Sequence, residues 1–288
     1  MRQLLRFARV EAVCCLFAVL FFVGLSLSRV APLPGWLSPY DALLVWCLGV
    51  TAVLWRTGWE TTREVGVIAA FHVVGLALEL FKVRQGSWDY PGEGVLEVGG
   101  VPLYSGFMYA AVGSYVCQAW RRMDLRITGF RFRSTALVAA LVYVNFFTHH
   151  TALPDLRVPL ALALLAVTAG TSVWFTVGAE RYRMPLAQSF VLIGAFLWLA
   201  ENAATLLGAW RYPDQASVWT LVHPGKLGAW SLLVVVSIVL VASVKATEGR
   251  LYGHPTDRPS VLGRRPAGLL LSRAEASPPC APEPARLR

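Results

Sequence analysis

Two glutamates stand out because each lies within an otherwise apolar stretch. Glu79 is followed by Gly86-Ser87-Trp88-Asp89-Tyr90-Pro91, and Glu201, 122 residues later, by Gly208-Ala209-Trp210-Arg211-Tyr212-Pro213. An ionised carboxylate inside a membrane span costs about 2.5–3.5 kcal/mol and usually faces a partner or a cavity. Placed so, it can act as a general acid or base. Histidine is the residue type whose ordinary chemistry suits proton exchange near neutral pH, which makes His149 and His150 the natural proton partners. Asn145, Thr148 and His149 share one helical face by spacing, and His72, seven residues before Glu79, shares the face of Glu79. Asn202 adjoins Glu201, and His223 falls just before the last apolar run. The candidate catalytic set is Glu201 as general acid, Glu79 as base or cation stabiliser, and His149 or His150 as proton partner. The candidate binding set is Asn145, Asn202, His72, His223, Trp88, Tyr90, Trp210 and Tyr212. The rings of Trp88 and Trp210 can stabilise a carbocation by cation–π attraction.

Plainer roles exist for most of these residues. Gly ends a helix by tolerating positive φ, Pro prevents its continuation, and Trp and Tyr favour headgroup depth. Lys82 can neutralise Glu79 as an i+3 pair, His72 can serve as interhelical packing, and His149 and His150 can be interfacial. Glu201 has no basic residue nearby in sequence. No metal is expected. Adjacent histidines on a helix point about 100° apart, and the five cysteines, Cys14, Cys15, Cys47, Cys117 and Cys280, form no C-x-x-C pair. The residues identify no cofactor.

The elements that must position these groups are membrane spans. The chain has 288 residues, 56% hydrophobic and only 15% charged, whereas soluble domains carry about 25% charged residues. The formal charge of +9 sits in short runs between apolar stretches rather than in a basic stripe, so the lipid bilayer, not nucleic acid, is the expected partner. With about 20 apolar residues per span, the windows are Val10–Ser28, Asp41–Trp55, Val65–Val83, Pro102–Trp120, Ser134–His149, Val158–Gly178, Pro185–Gly208 and Lys226–Lys245. The sequence thus reads as an all-α polytopic bundle of about eight spans over residues 1–246, in the inner membrane with both termini cytoplasmic. Arg121, Arg122, Arg126, Arg131 and Arg133 between two spans are the strongest cytoplasmic anchor. The first run is longer than a signal h-region and lacks a clear cleavage site, so it is read as a retained span. Residues 247–288 hold seven of the 17 prolines and read as a disordered cytoplasmic tail.

The 122-residue offset also carries Pro102 onto Pro224 and Gly106 onto Gly228, making seven identities in the 28 positions from Glu79 to Gly106. It carries the third span onto the seventh and the fourth onto the eighth, which predicts a parallel four-plus-four repeat. At a rise of 1.5 Å per residue, Glu79 and Glu201 lie roughly 20–24 Å from the cytoplasmic ends of their spans, in the outer third of the membrane.

The runs Leu78-Glu79-Leu80-Phe81-Lys82-Val83 with Gly86-Ser87-Trp88-Asp89-Tyr90-Pro91, Gly100-Val101-Pro102-Leu103-Tyr104-Ser105-Gly106-Phe107-Met108-Tyr109-Ala110-Ala111-Val112-Gly113-Ser114-Tyr115, Asn145-Phe146-Phe147-Thr148-His149-His150 and Trp198-Leu199-Ala200-Glu201-Asn202 resemble the bacterial membrane-protein family catalogued as domain of unknown function 817. The match covers roughly residues 60 to 245. More distantly, an acidic residue late in a span, then G-x-W-x-Y-P, then a proline entering the next span, is similar to the repeat of membrane-embedded lycopene cyclases. That likeness implies a long polyene-like substrate and proton-driven carboxylate chemistry. In those enzymes the proline is followed by a glutamate pair, whereas Pro102 precedes Leu103-Tyr104-Ser105 and Pro224 precedes Gly225-Lys226-Leu227. The expected function is acid–base chemistry by a membrane-embedded enzyme on an apolar, isoprenoid-like lipid. A proton-coupled transporter or channel is the alternative, and an assembly partner a third.

Overall fold

The computed structural model describes residues 1–92, 94–149 and 153–247. The proline-rich tail and His150 lie outside the described residues. Helices dominate: α1 (Arg2–Cys14), α2 (Leu16–Val30), α3 (Pro39–Arg56), α4 (Thr62–Arg84), α5 (Gly106–Arg122), α6 (Phe132–Thr148), α7 (Arg157–Thr168), α8 (Leu186–Leu206) and α9 (Gly225–Thr247). Among the described residues, α4, α8 and Gly225–Ala246 of α9 are long and apolar enough to cross a membrane. A fourth span results if α1 and α2, bent by 61°, count as one broken span.

The helix starts follow local chemistry. Ser38 caps α3 through the Asp41 amide with Pro39 in the first turn, and Thr61 and Glu64 form a reciprocal capping box on α4, which together satisfy amides left unpaired at a helix start. Glu64 then reaches Arg121 at 3.5 Å and Lys245 at 3.7 Å, tying the start of α4 to the ends of α5 and α9. This end of the bundle also holds a three-stranded antiparallel sheet of β3 (Arg126–Thr128), β4 (Ser172–Val177) and β5 (Glu180–Pro185). Gln3 of α1 bonds the Val177 carbonyl at 2.7 Å. The opposite end carries the G-x-W-x-Y-P segments and a short hairpin of β1 (Glu97–Val98) and β2 (Val101–Pro102), whose approach is clamped by Asp41 accepting the Val95 and Leu96 amides, each at 2.9 Å.

Three sequence expectations need correction. The fold is mostly helical but carries strands as well, so it is not purely α, and the window Val158–Gly178 is not one continuous helix. It is the 12-residue α7, a turn at Gly170 (φ +78°), and then β4. Thr168 bonds back to the Leu164 carbonyl at 2.7 Å, and the following Ser-Val-Trp-Phe-Thr-Val favours a pleated strand. Gly178 (φ +66°) opens the two-residue turn into β5, the position a tight hairpin reserves for glycine. The first window is also split, because the chain leaves helical geometry at Cys15 (φ −81°, ψ 6°). This lets α1 lie on the sheet while α2 packs on α3 and α5.

Close helix approach sets the core next to Glu79. A Cβ on Gly75 of α4 would lie 2.4 Å from the Tyr109 ring of α5, and one on Gly113 would lie 2.9 Å from the Phe71 ring. Gly75→Ala is therefore expected to displace Tyr109 and to cost about 1–3 kcal/mol by overpacking, measurable as a lowered Tm of the purified protein. An unchanged Tm would contradict this close packing.

Candidate functional site at the paired glutamates

Both helices that carry the glutamates end in the same way. After α4 the chain turns at Gly86 (φ +67°), with the Gly86 and Ser87 amides on the Val83 and Lys82 carbonyls. After α8 it turns at Gly208 (φ +71°), with the Gly208 and Ala209 amides on the Thr205 and Ala204 carbonyls. Left-handed glycine with these two bonds is a helix stop that reverses the chain toward its own last turns. The two returning segments then meet. Asp89 and Arg211 exchange backbone hydrogen bonds, both at 3.0 Å, as an antiparallel bridge, and their side chains pair at 2.6 Å. Because side chains alternate in extended backbone, Asp89 and Arg211 stay on the exposed side. Trp88, Tyr90, Trp210 and Tyr212 turn inward.

That turn delivers the hydrogen-bond donors. Glu79 is 2% exposed and Glu201 3%. Glu79 Oε2 accepts from Trp88 Nε1 at 2.7 Å and from Tyr90 Oη at 2.6 Å, while Oε1 accepts from Tyr109 Oη at 2.8 Å. Glu201 accepts from Tyr212 Oη, eleven residues on as Tyr90 is from Glu79, and from Trp230 Nε1 at 2.7 Å. The two sets touch. Trp88 meets Tyr212 edge-to-face at 5.8 Å between ring centroids, and Tyr109 lies 6.5 Å from Trp230. Lys226 Nζ stands 4.6 Å from the Tyr212 centroid and 5.5 Å from that of Trp88, within cation–π range of both.

Below the glutamates lies a cavity of about 1060 Å³, at the upper end of ordinary ligand sites, which run to about 1,000 Å³. Glu79, Trp88, Tyr109, Glu201, Tyr212 and Trp230 form one end of its wall, and Trp210 also lines it. On α8 the lining runs from Leu186 through Ser189, Ile193, Leu197 and Ala200 to Ala204, a helical stripe spanning about 27 Å by the rise per residue. Val19 of α2 and Leu192, Phe196 and Leu199 of α8 line the cavity and are also exposed. The cavity therefore opens sideways between these helices.

The remaining sequence candidates lie elsewhere or serve the scaffold. Asn145 spans the loop after α6, donating to the Pro154 carbonyl at 2.8 Å and accepting the Leu156 amide at 3.1 Å. In that loop the Arg157 guanidinium, bonded to Asp155, holds its carboxyl down at about 2. Asn202 donates to the Trp198 carbonyl and accepts the Val222 amide, fixing the approach to α9. His149 Nδ1 lies 2.9 Å from the Asn145 carbonyl of its own helix. His72 packs its ring 4.4 Å from that of Phe107 with Nδ1 buried and unpartnered among the described residues. His223 is exposed and accepts the Gly225 amide. Lys82 is turned over the Phe146 ring at 4.1 Å. The donors found on the two carboxylates are Tyr and Trp, and three groups at the site, Tyr109, Trp230 and Lys226, did not stand out in the sequence. Among the described residues no cluster of His, Cys, Asp and Glu could hold a metal ion.

The model of the family described as "Protein of unknown function (DUF817)" matches residues 3–238. The chain belongs to the DUF817 family. It is 49% identical over 245 residues to "Uncharacterized protein YoaT" of Bacillus subtilis (strain 168), covering 85% of this chain and 92% of the relative. No solved structure matches it. The matched region takes in both glutamates, their five aromatic donors and every residue of the cavity wall.

Proposed function

We propose that this DUF817 protein is a multi-pass inner-membrane protein that takes an apolar, isoprenoid-like lipid into its cavity and acts on it by acid–base chemistry at Glu201 and Glu79. The observation that carries the reading is the pair of buried carboxylates at one end of a long apolar cavity with a lateral opening. A lipid enters such a cavity from the bilayer without crossing water, whereas an ion would find almost no polar wall along the route. Glu201 is the general acid, with Tyr212 as its hydrogen-bond partner. Glu79, with three donors, stabilises developing positive charge, together with the ring of Trp88. Cyclisation is not part of the proposal, because the glutamate pair of the cyclase repeat is replaced by Leu103-Tyr104 and Gly225-Lys226. The test is a lipidomic comparison of a deletion strain carrying the wild-type chain or Glu201→Gln. Accumulation of one apolar lipid class in both the deletion strain and the Gln strain is expected; identical profiles in all strains would overturn the reading.

The same reading includes about eight crossings, with both termini cytoplasmic and two parallel halves. Support for the halves comes from the matched stops at Gly86 and Gly208, the tyrosine eleven residues after each glutamate, and the mutual bridge of Asp89 with Arg211 at equivalent positions. Support for the orientation comes from the sheet end, which gathers Arg2, Arg6, Arg9, Arg121, Arg122 and Lys245. Reporter fusions in the loop from Arg121 to Arg133 are expected to read cytoplasmic, and an external signal would reverse the topology.

A further inference from the structure

The cavity extends well past the paired glutamates, and partway along it stands a third carboxylate that the proposed chemistry does not use. Glu11 of α1 lines the cavity together with Ala8, Ala12 and Cys15. Its Oε2 accepts a hydrogen bond from Tyr115 Oη at 3.1 Å. Its Oε1 has no hydrogen-bond partner among the described residues. Tyr115 lies six residues beyond Tyr109 on α5, about 9 Å further along the cavity.

This arrangement is incomplete. A carboxylate offers about four acceptor positions, and Glu79 fills three with aromatic donors while Glu11 has one. A poorly partnered carboxylate beside an apolar space is costly, and a donor on a molecule that fills the space relieves that cost. Small neighbours (Ala8, Ala12, Ala119) leave room for a group at that level. Arg6 and Arg9 on α1 and Arg121 and Arg122 in the last turn of α5 make this end of the bundle positive, which disfavours an ammonium and leaves a hydroxyl as the matching donor.

We infer that Glu11 and Tyr115 form a second subsite that binds the hydroxyl of a long-chain, isoprenoid-like alcohol, whose apolar chain extends through the cavity to the Glu79–Glu201 layer. The inference rests on the cavity reading above and adds to it the ligand's polar group and its position. Glu11 is a specificity residue here, remote from the reacting atoms.

The test measures equilibrium binding of all-trans geranylgeraniol and of its methyl ether, which keeps the chain and loses the donor, to the purified full-length protein in nanodiscs. Ala200→Trp, which fills the cavity beside Glu201, sets the background from partition into lipid. Wild type is expected to bind the alcohol about tenfold more tightly than the ether, the size of one hydrogen bond to a charged acceptor. Glu11→Leu is expected to bring the alcohol to the ether's affinity and leave the ether unchanged. Should Glu11→Leu fail to fold, Glu11→Gln reads the same difference. A neutral acceptor is about half as strong, so the preference falls to about threefold. Equal affinities in wild type, or a preference that survives Glu11→Leu or is undiminished in Glu11→Gln, overturns the subsite and leaves the cavity reading standing. Binding of neither ligand above the Ala200→Trp background overturns both.

Discussion

Glu201→Gln is expected to fold and insert like wild type and to lose about 10²- to 10⁴-fold in turnover of its lipid, the usual contribution of a positioned general acid. Gln keeps the size of the side chain. Its amide oxygen still accepts from Tyr212 or from Trp230, so the local packing and most hydrogen bonding survive. The transferable proton does not. A purely structural role would give the opposite pattern, because the bonds from Tyr212 and Trp230 are the parts that Gln retains in large measure. Comparing lipid profiles with expression level and Tm separates the two. Near-wild-type turnover in a well-folded Gln variant would remove Glu201 from the chemistry.

Ala200→Trp is expected to abolish function without disturbing either glutamate's hydrogen bonds. Ala200 precedes Glu201 and faces the cavity with only a methyl group, so an indole there occupies space that the ligand's chain needs. Because the site is open rather than packed, the substitution avoids the strain of overfilling a close-packed core. Tm is expected to hold or rise slightly, and lipid turnover to fall to the level of the deletion strain. Normal turnover with the indole in place would mean that the cavity is not the route.

How much of this was readable from residues alone follows from what each signal encodes. Glu79 and Glu201 were legible because a carboxylate within an apolar run is expensive and rare, and because its repetition at a fixed offset is improbable. Trp88, Tyr90 and Tyr212 came with them through the shared motif. Tyr109 and Trp230 were not legible, since an aromatic residue within an apolar span looks the same whether it packs or donates. Their role depends on which neighbouring helix faces them, and spacing along one helix defines its face without naming the partner. The same limit explains His72 and Glu79. They share a face by spacing, yet His72 packs on Phe107 while Glu79 takes Tyr109 from the same helix, α5. The hairpin of β4 and β5 was hidden for another reason. Ser-Val-Trp-Phe-Thr-Val follows Leu-Ala-Val with no charged residue between them, and a short apolar run does not by itself separate strand from helix. Gly170 and Gly178 were the available signals, positioned to break the window at both ends of the strand.

The most direct measurement is mass spectrometry of the molecules that copurify with the full-length protein in mild detergent, wild type beside Ala200→Trp. Wild type is expected to retain a long apolar molecule, near one per chain, that the Ala200→Trp protein lacks. The same bulk membrane phospholipids in both samples, with nothing specific to the wild type, would contradict a lipid-binding cavity at the paired glutamates.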